Sequence, residues 1–200
     1  MDSKIIGGTK EQAIPFPDKK YEIIYADPPW QYHSKQTFKR GGVRFHRLEE
    51  EYQTVSTEEM CSWEVSKIAA KDCAIFMWAT DSHIKDAIRL MEAWGFKYVT
   101  VAFVWVKQTN KGNLVSNVGA WTMKNCELCL FGTRGAMRKH KKSNKVKQLF
   151  YAERTEHSKK PGCVRSFIEE MFGDLPRIEL FARQRADGWD AWGNEVPGET

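Results

Sequence analysis

Two hundred residues and 23.2 kDa are enough for one domain with a substantial buried core. An apolar fraction of 42%, with 12% aromatic residues and eight Trp, excludes a disordered chain, which lacks the large apolar groups that offset ordering entropy. No run approaches the roughly 18–20 apolar residues that span a bilayer, and the opening MDSKIIGGTK carries no apolar signal core. A soluble, cytoplasmic, single domain over 1–200 is therefore expected, with its core at about 20–196.

The net charge of +5 is unevenly placed. Residues 31–47 hold Lys35, Lys39, Arg40, Arg44 and Arg47, and residues 134–148 hold Arg134, Arg138, Lys139, Lys141, Lys142, Lys145 and Lys147, with no acid in either segment. The rest of the chain is acidic, with 19 Lys and Arg against 26 Asp and Glu. Clustered cations in Gly-, Ser- and Asn-bearing loops are the footprint of a polyanion binder. The five cysteines (Cys61, Cys73, Cys126, Cys129, Cys163) are odd in number and read as reduced thiols. Cys126 and Cys129 have no second pair to complete a zinc site, so no metal is expected.

In chain order, strand and helix signals alternate. Residues 21–27 form a short apolar run stopped by Pro28 and Pro29, a buried strand. Ser56 and Glu59 have capping-box spacing and open a helix expected to reach about Ala70. Residues 73–80 are a second buried strand. Residues 82–94 place Ile84, Ala87, Ile88 and Met91 on one helical face, with Gly95 as the stop. Residues 99–106, 127–132 and 148–152 are further strands, with Lys107 at the end of the first of these. Pro161 introduces a helix with the stripe Val164, Phe167, Ile168 and Met171, ended by Gly173, and residues 177–183 are a last strand. His157 reads as a loop residue. The pattern predicts an α/β fold, a mostly parallel sheet with helices on both faces, whose ligands bind outside the carboxyl ends of the strands.

Asp27-Pro28-Pro29-Trp30 lies at such an end. The prolines remove two N–H donors, so the turn presents carbonyl oxygens beside a carboxylate. That suits an exocyclic amine with two hydrogens to donate, such as N6 of adenine. If Asp27 accepts one and the Pro28 carbonyl the other, the nitrogen lone pair is free to be aimed at an electrophilic carbon. Trp30 offers a face on which a base could stack.

The tetrapeptide resembles the catalytic motif of the adenine N6-methyltransferases typified by the seventy-kilodalton catalytic subunit of the eukaryotic mRNA adenosine methyltransferase. Residues 104–107, 119–132, 157–161, 180–183 and 188–195 are similar to successive blocks of that family, in its order. The resemblance implies a Rossmann-like class I fold with permuted motif order, the catalytic strand first and the cofactor strand last. It also implies S-adenosyl-L-methionine as cofactor, bound by Asn125, Arg183, Asn194 and Glu195, with Asp27, Pro28, Pro29 and Trp30 catalytic. Ala182 stands where the family often has Gly, and Glu195 where some members have Gln. Nucleic acid, DNA before RNA, is the expected partner, contacted by Lys35, Lys39, Arg40, Arg44, Arg138, Lys139, Lys141 and Lys142. RNA methylation and a non-catalytic nucleic-acid-binding subunit are the alternatives; a homodimer or a partner subunit is left open.

Overall fold

The computed structural model describes residues 14–31, 39–40, 43–44, 54–119, 121–155 and 159–196, with the backbone alone given for 39–40 and 43–44. Seven strands form the main sheet: β1 (Tyr21–Ala26), β2 (Ala69–Ala79), β3 (Lys97–Gln108), β4 (Cys126–Arg134), β5 (Leu149–Glu153), β6 (Arg177–Leu180) and β7 (Asp190–Trp192). Their spatial order is β7-β6-β1-β2-β4-β3-β5, and every pairing is parallel except those of β4, which runs against both neighbours.

Helices cover both faces because the strands alternate. Along β2, Cys73, Ile75 and Met77 join a core with Met60, Ala87, Leu90, Met91 and Trp94; Ala74, Phe76 and Trp78 join the opposite core with Val164, Ile168 and Phe172. The first core is roofed by α1 (Thr57–Cys61) and α2 (Ile84–Ala93), the second by α3 (Cys163–Phe172). Helix α2 stops where its sequence says it should. Gly95 takes φ 85° and donates to the Glu92 carbonyl, while the Phe96 N–H returns to the Met91 carbonyl, a closed C-terminal turn that only Gly enters without strain.

Three expectations need correction. Helix α1 is capped by Ser56 as predicted, its Oγ accepting the Glu59 N–H at 3.2 Å, but it ends at Cys61. Residues expected to prolong it instead turn through Val65–Lys67 into β2, which starts at Ala69. The last predicted strand ends at Leu180, not Arg183, because Phe181 turns left-handed at φ 61°. Strand β7 was missed, being three residues long and bounded by polar turns. Among the described residues no helix is long and apolar enough to cross a membrane.

Chain direction fixes where a site can form. From β1 the chain moves through α1 to β2 on one side, and only after α3 does it return to lay β6 on the other. The gap between the carboxyl ends of β1 and β6 is therefore a topological switch point, where no connection crosses and a ligand can enter.

Candidate active site

Ala26 pairs with Leu180, so Asp27 leaves β1 directly beside the point where Phe181 leaves β6. The Asp27 carboxylate accepts from Lys160 Nζ at 2.8 Å, and Lys160 also approaches Glu127 Oε2 at 3.3 Å. Glu127 in turn pairs with Lys107 at 2.5 Å. Alternating charges thus run Asp27, Lys160, Glu127, Lys107 across four elements. The reversal of β4 makes this possible, since it brings the amino end of that strand to the carboxyl ends of its neighbours.

Burial sets the electrostatics. It pushes the Asp27 carboxyl above its ordinary value, and Lys160 opposes the rise without cancelling it. Burial also acts to raise Glu127, but Lys160 and Lys107 together outweigh it and hold that carboxyl below its ordinary value. For Lys160 the desolvation that would discharge it is overcome by Asp27 and Glu127, and its pKa is raised. The result is a recessed carboxylate whose charge is supported first by the Lys160 ammonium and, more weakly, by the Arg183 guanidinium.

The turn after Asp27 is more occupied than its sequence suggests. The Pro28 carbonyl accepts the Trp30 N–H at 2.9 Å and the Pro29 carbonyl accepts the Val55 N–H at 3.0 Å. Each keeps a second lone pair. Trp30 is not an open stacking face: it is 6% exposed, lies against the His83 ring at 5.5 Å, and donates through Nε1 to the Trp78 carbonyl at 3.1 Å. His83 is itself fixed, with Nδ1 2.8 Å from Thr80 Oγ1 and Nε2 3.1 Å from the Gln31 carbonyl. Beneath the turn, Trp78 Nε1 donates to the Tyr25 hydroxyl at 2.6 Å, and Lys160 lies 5.6 Å from the Trp78 ring.

Across the switch point, β6 and β7 meet through backbone. The Ala182 N–H donates to the Trp192 carbonyl at 3.1 Å. A Cβ on Gly193 would come within 2.4 Å of the Ala182 carbonyl oxygen, so only Gly lets the two strand ends approach this closely. Arg183 Nε then lies 3.7 Å from Glu195 Oε1, with Asn194 between Gly193 and Glu195 on the exposed rim. The αL backbone of Phe181, whose ring contacts Trp63 and Trp192, is the kind of local strain, about 1–3 kcal/mol, that a surrounding structure must hold. Asn125 joins the same edge, its carbonyl accepting the Lys107 N–H at 3.0 Å.

The two basic segments separate. The chain between Gln31 and Thr54 leaves and returns at the site, where Trp30 bridges Val55; within it Lys39–Arg40 pairs with Val43–Arg44, while Lys35 and His157 lie outside the described residues. The second segment is elsewhere, contrary to expectation. Arg134 pairs with Cys73 and Cys129 with Trp78, which puts the start of that segment roughly 17 Å from the level of Asp27 at about 3.4 Å per residue. Asp72 anchors it there by pairing with Lys139 and accepting the Ala136 N–H at 2.7 Å, and the Lys142 N–H donates to the Met171 carbonyl at 2.7 Å. Arg138, Lys139, Lys141 and Lys142 therefore belong to the opposite edge of the sheet.

Glu127 and Lys160 were not singled out from the sequence. Their one signal was a charged residue at the head of the apolar run Cys126-Glu127-Leu128-Cys129, where a buried charge requires a partner. The partner itself lies 33 positions away, beyond any local pattern. Cys126 and Cys129 differ in setting, exposed and buried respectively.

A doubly covered sheet with this reversed strand, and an acidic-proline turn at its switch point, is the Rossmann-like fold of a methyltransferase. The chain belongs to the MT-A70 family, whose model matches residues 21–195. It is 40% identical over 192 residues to the type II methyltransferase M.MunI of Mycoplasma sp, with 90% of this chain and 80% of that protein aligned. It is also similar to two proteins of Homo sapiens. One is the N(6)-adenine-specific methyltransferase METTL4, 28% identical, covering 89% of this chain and 38% of the relative. The other is the N(6)-adenosine-methyltransferase catalytic subunit METTL3, 25% identical, covering 90% and 29%.

Proposed function

We propose that the protein transfers a methyl group from S-adenosylmethionine to N6 of adenine in DNA, as one methyltransferase domain. The observation that carries the reading is the recessed Asp27 carboxylate at the switch point, in a chain that aligns with most of a type II methyltransferase.

The residues around the β6 and β7 ends fit the cofactor. The Gly193–Ala182 contact brings a guanidinium, Arg183, beside the amide and carboxylate of Asn194 and Glu195, a donor and acceptor set for a carboxylate and for ribose hydroxyls. When bound, S-adenosylmethionine supplies an electrophilic methyl on a sulfonium. Asp27 accepts one N6 hydrogen and the free lone pair of the Pro28 carbonyl accepts the other, which turns the nitrogen lone pair out of the ring's conjugation. As the nitrogen takes the methyl group, the methyl–sulfur bond of the donor would break and the donor would leave as a neutral thioether; Asp27 stabilises the positive charge that the nitrogen gains, across a short distance in a site of low dielectric. The surplus N6 proton then leaves to Asp27 or to water. Lys160 keeps Asp27 ionised, and Glu127 and Lys107 hold Lys160 in place. Trp30, clamped by His83, fixes the shape of the wall.

The test is incubation with S-adenosylmethionine and duplex DNA, single-stranded DNA or RNA, then digestion and mass spectrometry of nucleosides. N6-methyldeoxyadenosine is expected from DNA, with Asp27→Ala slower by roughly 10² or more while equilibrium dialysis still shows cofactor binding. Methylation of RNA alone, or full activity of Asp27→Ala, would overturn the reading.

A further inference from the structure

Between β3 and β4 the chain makes a small hairpin, Asn117–Val118 paired with Met123–Lys124, at the same edge as Asp27. Its stem is fixed to the site: the Val115 N–H donates to the Lys107 carbonyl at 2.9 Å, and Lys124 pairs at 2.8 Å with Asp81, which follows β2. The turn side chain Trp121 is 97% exposed and Val118 is 80% exposed. Gly119 makes the turn, since a Cβ there would meet the Thr122 carbonyl oxygen at 2.4 Å. The segment 108–125 holds Lys111, Lys124 and four Asn and no carboxylate, so its charge and hydrogen-bonding groups suit a polyanion.

We propose that this hairpin opens duplex DNA, with Trp121 entering the space that the target adenine leaves in the base stack. The inference rests on the DNA reading above. A recessed Asp27 can reach N6 only if the base leaves the helix, and extrusion costs unstacking energy. An exposed aromatic ring on a hairpin whose stem is anchored at the mouth of the site offsets that cost by stacking on the exposed neighbours, as apolar wedges do between base steps. Lys111, exposed on the loop before the hairpin, is the cation available to a flanking phosphate, since Lys124 is held by Asp81. Exposure of this kind serves no folding purpose, so Trp121 is expendable for stability.

The experiment compares an unmethylated linear duplex with its two complementary strands supplied separately, reading methyl incorporation by wild type, Trp121→Ala and Trp121→Phe, with solution mass by light scattering. Trp121→Ala should lose about tenfold or more on the duplex and stay within about twofold on separated strands, with Trp121→Phe intermediate. Equal activity of Trp121→Ala on both substrates, or an equal loss on both, overturns the proposal. So does a change from dimer to monomer in Trp121→Ala, which would make the hairpin an interface between two copies. Wild-type activity on separated strands only also refutes it while leaving DNA methylation standing. Inactivity of wild type on both forms refutes the DNA reading itself, and this proposal with it.

Discussion

Substituting Gly193 by Ala tests whether the two halves of the proposed cofactor site depend on backbone contact. The added Cβ would lie 2.4 Å from the Ala182 carbonyl oxygen, 2.8 Å from its nitrogen and 3.0 Å from the Phe181 carbonyl carbon. All three are backbone atoms, so no side-chain rotation relieves the clash, and β6 and β7 must part by several tenths of an ångström. Overpacking of this kind costs about 1–3 kcal/mol. At roughly 2–4 °C per kcal/mol for a chain of this size, the melting temperature should fall by about 2–12 °C. The same displacement moves Arg183 away from Asn194 and Glu195, so the dissociation constant for S-adenosylmethionine, read by equilibrium dialysis, should rise about tenfold or more. Gly162→Ala is the control, because its Cβ would meet nothing nearer than Arg165 Nη2 at 3.6 Å. The double variant with Ala182→Gly should not recover. Wild-type melting and binding in Gly193→Ala, or rescue by Ala182→Gly, would refute the reasoning.

Because burial raises Asp27 and the amine needs an ionised acceptor, kcat/KM should fall on acidification through a value above the ordinary carboxylate range; Lys160→Met, which removes the opposing cation, should move that limb further toward alkaline pH. Trp78→Phe leaves the Tyr25 hydroxyl without its donor and should cost about 1–3 kcal/mol in denaturant unfolding. Joint substitution of Arg138, Lys141 and Lys142 by Gln should leave the rate on a short duplex within about twofold of wild type at low salt, since these cations sit at the far edge. Asp72, whose carboxyl is held at about 2 by Lys139 and the Ala136 N–H, stabilises the fold above the ordinary carboxylate pKa. Its contribution should be lost as pH falls from about 4 through 2, and Asp72→Asn should flatten the unfolding profile there.

The sequence was most legible where a local rule decides the outcome. Apolar runs located β1 through β5, Gly95 and Gly173 ended their helices, and Pro28-Pro29 stopped β1 at a ligand-binding edge. What stayed hidden depends on distant partners. The direction of β4 is set by which neighbours it finds, so the run 126–134 could not reveal that Glu127 faces the site and Arg134 the opposite edge. Lys71 and Asp72 masked the start of β2, because two charges inside a strand resemble the polar face of a helix. Trp30 looked available because nothing nearby announces that His83, 53 positions on, lies against its ring.

The placement of β1 beside β6 has a consequence for how the molecule is made. Ile24 pairs with Ile178, more than 150 positions later, so one flank of the first strand stays open until that segment has been made. Such long-range pairing slows folding, and an unpaired apolar strand invites association with other chains. Asp27 leaves the ribosome 133 residues ahead of Lys160 and 156 ahead of Arg183. A nascent chain therefore carries the motif before the Lys160 and Arg183 cations that act on Asp27, and the site is complete only once the final strands have docked.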